Sequence, residues 1–399
     1  SMEYKIILIV LLSLPFSMLS QWGCTDPQAT NYDASATIND GSCIYSPTNY
    51  TLSLVYNLND VLQENSGLIR VGNFLYTFND SGSGAIIYEL DTLGIVLRTI
   101  TISGATNVDW EAITSNSTHV FIGDVGNNNG NRHDLCLYRF LKTDLHLDTI
   151  QAEKLPFYWS DQTQFTSLPN ANNYDCEALV AETDSITLYS KNWVDLKTRR
   201  YRLPSFWIDT IAAQLMDSFA VDGLITDACV DTIMNRSYLL GYKNNGSNFY
   251  TSFVWCLWDY QDQHVFSGNR RRIEVGNVLN LAQTEGIALK SANNGYISSE
   301  KVTSVITIPA KLLQFDFSSF LESSASLPYI PQPSTFQLIH HEQLGYTELI
   351  INQPFTDFGL YDMLGKAITL ASPSNRIITS MHGQAVLRID DKTQLILLP

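Results

Sequence analysis

What most limits this chain is a layout repeated five times between residues 50 and 322. "GLIRVGNFLYTFND", "AITSNSTHVFIGD", "ALVAETDSITLYSK", "ACVDTIMNRSYLLGY" and "GIALKSANNGYISSE" each give an apolar strand, a polar turn, a second apolar strand and a polar cluster. Superposed, the units start at Ser66, Glu111, Glu177, Asp227 and Glu285, spaced by 45, 66, 50 and 58 residues. "AIIYELD", "LCLYRFL", "TRRYRLP" and "FVWCLWD" supply third strands, and "GIVLRTITI", "AEKLPFYW", "AAQLMDSFAV" and "NRRRIEVG" supply fourth strands. A fixed period with about four strands per unit is the signature of a β-propeller. The fifth unit offers "VITIPAKLLQFDF" but no fourth strand. "YTLSLVYNL" (50–58) can supply it, which would join the ring and remove open sheet edges. The expected fold is all-β, a propeller with five blades favoured over six, followed by a small C-terminal β-sandwich.

The boundaries follow from local composition. Residues 1–20 carry Lys5, the apolar run Ile6–Leu14 and small residues at Ser17 and Ser20, the pattern of a secretory signal peptide. Residues 21–48 are rich in Asp, Asn and turn formers, without apolar periodicity. A Cys24–Cys43 bridge is expected to replace the missing core, closing a loop worth about 3 kcal/mol in the chain-entropy model. Asp26, Asn31, Asp33, Asn39 and Asp40 could offer oxygens to calcium there, although a bridged polar turn is the simpler expectation. Residues 50–325 form the propeller, 326–333 a linker, and 334–399 an Ig-like sandwich of alternating strands. Cys136, Cys176, Cys229 and Cys256 lie in strand-like runs and match no zinc spacing.

Charge excludes one class of partner. Forty acids against twenty-four bases give a formal charge of −16, so nucleic acid would be repelled. No apolar run beyond the leader is long enough to span a membrane. The mature chain is expected to be secreted or displayed at the cell surface.

In a propeller the first strand of each blade lines the central channel and the second returns beside it. A residue just before the first strand and one just after the second therefore meet at one mouth. Glu111, Glu177, Asp227 and Glu285 hold the first position, and are the expected metal ligands. Asp80, Asp124, Arg132, Lys191, Asn192, Glu300 and Lys301 lie at or beside the second, and are the expected ligand-binding set. A rim this acidic needs a cation or basic neighbours to offset repulsion. Ca²⁺, which takes six to eight oxygens in flexible geometry, is the expected cofactor. Three functions follow: capture of a glycan or cation, calcium-dependent hydrolysis of a phosphoester or lactone with Lys191 and Arg132 holding a small anionic group, or adhesion and display without catalysis. No residue is assigned a catalytic role.

Two resemblances add to this reading. "NDSG", "SGATNVDWEAI", "GDVGNNNGNR", "DCEAL", "SKNWVDLKTRRYRLP" and "FSGNRRRIE" together resemble a family of exported Bacteroidetes β-propeller proteins whose activity is unassigned. The bridged "GCTDP…DGSC" segment resembles a short module common in such proteins. "DFGLYDMLGKAI" with "HGQAVLRIDDKTQLILLP" resembles the type A C-terminal sorting domain of type IX secretion, with Leu398–Pro399 standing where that family has a basic ending. The resemblance implies the type IX secretion machinery as a partner.

Overall fold

In a computed structural model of the chain, the described residues are 21–246, 249–260, 264–304 and 306–321, with seven strands between 336 and 398. The expected signal peptide (1–20) and linker (326–333) lie outside them. The chain divides into two compact units, Ser1–Ser324 and Ala325–Pro399.

The first unit is a five-bladed propeller. Blade 1 runs Asn65–Val71, Phe74–Asn79, Ile86–Leu90 and Val96–Ser103; blade 2 runs Trp110–Ser115, His119–Asp124, Cys136–Leu141 and Glu153–Trp159. Blade 3 runs Asp175–Ala181, Ser185–Lys191, Thr198–Pro204 and Ile211–Phe219; blade 4 runs Leu224–Asp231, Arg236–Asn244, Tyr250–Trp258 and Asn269–Asn277. Blade 5 takes Gln283–Ser291, Asn294–Glu300 and Lys311–Asp316 from its own stretch. Its outer strand is Ser53–Asn57, paired antiparallel with Lys311 opposite Asn57. The expected closure by the N-terminal strand is therefore present. Each innermost strand packs on that of the next blade, and the fifth packs on the first, completing the ring.

The burial pattern explains why these strands read as nearly continuous apolar runs. Neighbouring blades stack face to face, so both faces of a blade are covered. Among the described residues a separate apolar cluster fills each of the five junctions. In blade 2, Val120 and Ile122 point to blade 1, and Phe121 points to blade 3. In blade 4, Leu239 faces blade 3 and Leu240 faces blade 5. Trp110, between blades 1 and 2, is fully buried and donates its indole N–H to the Thr106 carbonyl.

The Cys24–Cys43 disulfide is formed. The residues around it lie against blade 4, where Thr48–Asn49 pairs parallel with Ile273 and Glu274, and the Arg271 guanidinium donates to Gln28. The oxygens weighed for calcium here hold turns instead: Asp26 accepts from Gln28 N, Asp33 from Ser35 N and Asp40 from Ser42 N. In the second unit Phe336–His341, Tyr346–Ile351 and Arg376–Thr379 form one antiparallel sheet. Ala367–Leu370, Phe358–Tyr361, Gly383–Ile389 and Lys392–Leu398 form the other, giving the small sandwich. Among the described residues no helix is long and apolar enough to cross a membrane.

Candidate functional site

The site is built by a backbone irregularity that recurs from blade to blade. Near the start of the innermost strand, one extra residue is inserted opposite the second strand. In blade 2 the register passes from Trp110 opposite Asp124 to Ala112 opposite Gly123, so Glu111 is the extra residue. The same shift makes Glu177 the extra residue in blade 3 and Glu285 in blade 5. A bulge re-aims the side chain it carries, and these three acids leave the ladder to face the channel mouth. In blade 4 the extra residue is Thr226, and in blade 1 the shift spans Gly67 and Leu68. Gly67 sits at φ +59 with blade 2 pressed against it, a conformation that suits glycine. Gly126 is needed for space, because a Cβ there would come within 2.9 Å of the Glu111 Cγ.

Together the bulges and the ends of the second strands enclose a pocket of about 410 Å³. Ser66, Asp80, Glu111, Glu177, Glu285 and Glu300 bring oxygens to it. Lys191, Trp193, Tyr242, Tyr250 and Gln283 line it as well. One wall is made of amides: Asn128 and Asn129 from blade 2, and Asn170 from the segment leading to blade 3. These two segments are joined by Leu168 N donating to Asn129 O (2.8 Å) and Asn170 N to Asn128 O (2.9 Å). Asp175 holds the neighbouring side in place, accepting from Asn127 N at 2.6 Å and from the Trp193 indole at 2.8 Å.

Electrostatics in the pocket are dominated by burial. Lys191 donates to Glu177 Oε1, and both side chains are only 4% exposed. Its ammonium also lies 5.0 Å from the Trp193 ring and 5.2 Å from the Tyr242 ring. Burial pulls the Lys191 pKa down, but the surrounding acids, Glu177 foremost, hold it well above the ordinary value, so this side chain is cationic. Burial, and then the charge of Glu177, pushes Glu111 well above the carboxylate range. Burial also raises Glu177, with Lys191 pulling the other way. Glu285 and Glu300 are each pushed up to about 8, mainly by burial, while Asp80 rises to about 6 for the same reason. Glu285 Oε1 accepts from Gln283 Nε2 at 2.6 Å, and Glu111 Oε2 from Ser66 Oγ at 3.2 Å.

Of the residues expected at the mouth, Asp80, Glu111, Glu177, Lys191, Glu285 and Glu300 line this pocket. The others stand apart from it. Asp227 is one residue past the blade 4 bulge and wholly buried, accepting from Ala228 N at 2.8 Å and Ile287 N at 2.7 Å, so it ties blade 4 to blade 5. Asp124 turns under its own loop to accept from Asp109 N and to pair with Arg132 at 2.9 Å. Arg132 also donates to Asp134 and Gly126 O, so it serves that loop and is not set opposite Lys191. Asn192 is fully buried between Ser190 and Asp195, and Lys301 reaches Gln63. Trp193, Tyr242, Tyr250, Gln283, Asn129 and Asn170 were not anticipated. Tyr242 lies opposite Leu224 in the register, the place that Lys191 takes opposite Asp175 and Glu300 opposite Gln283.

The four acids expected to hold calcium are not brought together as a set. Asp227 is committed to backbone amides, and Glu177 is paired with a lysine. Among the described residues no group of three or more His, Cys, Asp or Glu is arranged to hold a metal ion. The donors at this mouth do not fit a calcium site.

The chain matches no protein-family model and no curated protein sequence. Similar folds occur among solved structures. An exo-β-1,3-galactanase from Clostridium thermocellum is 12% identical over 88% of this chain and 86% of its own, with a TM-score of 0.40. A GH43 β-1,3-galactosidase with galactodeoxynojirimycin is 12% identical over 80% and 98%, with a TM-score of 0.36. A Bombyx mori GH32 β-fructofuranosidase in complex with sucrose is 8% identical over 87% and 84%, with a TM-score of 0.37. What this pocket binds has to be read from its own residues.

Proposed function

We propose that this protein is an exported or cell-surface β-propeller that binds a glycan at the acidic mouth of its channel. The observation that carries the reading is the convergence of three bulge glutamates from three blades with aromatic rings and side-chain amides in one pocket. A sugar needs this mixture. Its hydroxyls donate to carboxylates and accept from amides and ammonium groups, while its C–H faces rest on rings such as Trp193 and Tyr242. The volume lies within the usual range of small-ligand pockets, roughly 300–1,000 Å³. The disulfide supports an oxidising compartment. The "YDMLGK" motif supports delivery by type IX secretion, which loss of export on deleting 325–399 would test.

A second reading is turnover of that glycan. Glu285 and Glu300 hold protons near neutrality, the condition for a general acid. Calorimetric titration with a panel of oligosaccharides tests binding, and reducing-end release tests turnover. Glu177→Gln and Trp193→Ala are expected to weaken binding at least about tenfold, the loss of one good polar or stacking contact. A panel with no binder refutes the glycan reading and favours an adhesive role through another surface.

A further inference from the structure

The acids of the mouth carry a second, independent mark. Glu177 and Glu285 are 3% and 5% exposed, and in each the Oε2 atom is buried with no hydrogen-bond partner. The partner oxygens are satisfied, by Lys191 and by Gln283. Buried acceptors left open are uncommon in folded proteins and point to a donor that arrives from outside. The charge balance says what kind. Five carboxylates line the pocket, and Lys191, which is already paired, is the one cation among the described lining residues. The wall beside Glu177 is also one that accepts an ammonium, since Trp193 and Tyr242 hold that of Lys191 against their faces.

We propose that the glycan bound at this mouth presents a primary ammonium group, as an amino sugar does, donating to Glu177 Oε2 and Glu285 Oε2. This rests on the glycan reading of the same pocket. An anion finds only one cation in the described lining, and that lysine is already paired. A neutral sugar could fill both acceptors with hydroxyls but would bring no charge to favour ionisation of these buried acids. An ammonium supplies three donors and a charge together.

Binding then has a proton signature. Burial raises the pKa of Glu285 and Glu300 in the free protein to about 8. A cation beside them favours their ionised forms, so its entry expels protons to solvent. The test is calorimetric titration of the full chain at pH 6.5, in two buffers of different ionisation enthalpy. The ligands are glucosamine disaccharide, its N-acetylated form, a neutral disaccharide, spermidine and CaCl₂. The expected result is binding of the amino sugar at least about tenfold tighter than its acetylated form, with proton release only for the amine. Glu285→Gln should reduce both the preference and the release. The wild-type proton count stands as evidence even if that variant misfolds. Equal affinity for the amine and its acetylated form overturns the inference while the glycan reading survives. Binding of spermidine but no sugar overturns the glycan reading and keeps the ammonium site. Binding of calcium in place of every amine overturns the ammonium site.

Discussion

The same five strands form both mouths of the channel, and the two mouths differ in almost every respect. At one end, bulges lift Glu111, Glu177 and Glu285 out of the ladder into a pocket of about 410 Å³. At the other, beyond those bulges, an opening of about 210 Å³ is lined by Leu68, Ile113, Val180, Val230 and Leu289, with Arg70, Thr114 and Ser115 as polar members. Between them Asp227 bridges two blades with a buried carboxylate. One inserted residue per blade therefore separates the end where acidic side chains gather from one lined mainly by aliphatic residues. The ring supplies convergence at both ends, and the bulge decides which end gains chemistry.

Substitutions can break this contrast, beginning with the largest effect. Lys191→Met removes the partner of a buried acid and is expected to cost about 3–5 kcal/mol, measured as a fall in the urea midpoint. Asp227→Ala leaves the buried amides of Ala228 and Ile287 without an acceptor. A loss of about 2–4 kcal/mol is expected, with ligand affinity unchanged in the fraction that folds. If it instead abolishes binding while stability holds, Asp227 belongs to the site and the division between the two ends is misplaced.

The pH response sharpens the comparison further. Glu285 and Glu300 have folded-state values near 8, above the ordinary value near 4.3 that they take when unfolded. Over that interval the native state binds more protons than the unfolded state. Their contribution to stability is therefore greatest below about pH 4 and is lost as pH rises toward 8. The denaturation midpoint should fall across pH 5–8, and Glu285→Gln should flatten that slope. At the opposite mouth, Ser115→Ala is expected to change stability by less than about 0.5 kcal/mol, and ligand affinity not at all.

Much of the propeller was legible because its physics is local. Strands covered on both faces must be apolar throughout, and the turns between them must be polar, so the units stand out even at irregular spacing. Closure by Ser53–Asn57 was legible because the fifth unit lacked a strand and an unclaimed one preceded the first. Glu111, Glu177 and Glu285 were legible because each directly precedes its apolar run. Blade 4 misled because a one-residue shift of the bulge is invisible in composition: Thr226 and Tyr242 take the positions that Asp227 and Lys243 were expected to fill. Asp124 and Arg132 misled for another reason. A charged residue after a strand can turn toward the axis or back under its own loop, and the backbone amides of Val108 and Asp109 draw Asp124 the second way. Asn129 and Asn170 follow no periodicity that would reveal them.

The outer strand of blade 5 has a consequence for how the protein is made. Ser53–Asn57 is synthesised first but finds its place only beside Lys311–Asp316, which leaves the ribosome near the end of the propeller. Until then the nascent polypeptide keeps a loose leading end and an unsealed gap. Translation order thus delays closure of the ring until nearly all of the propeller has emerged.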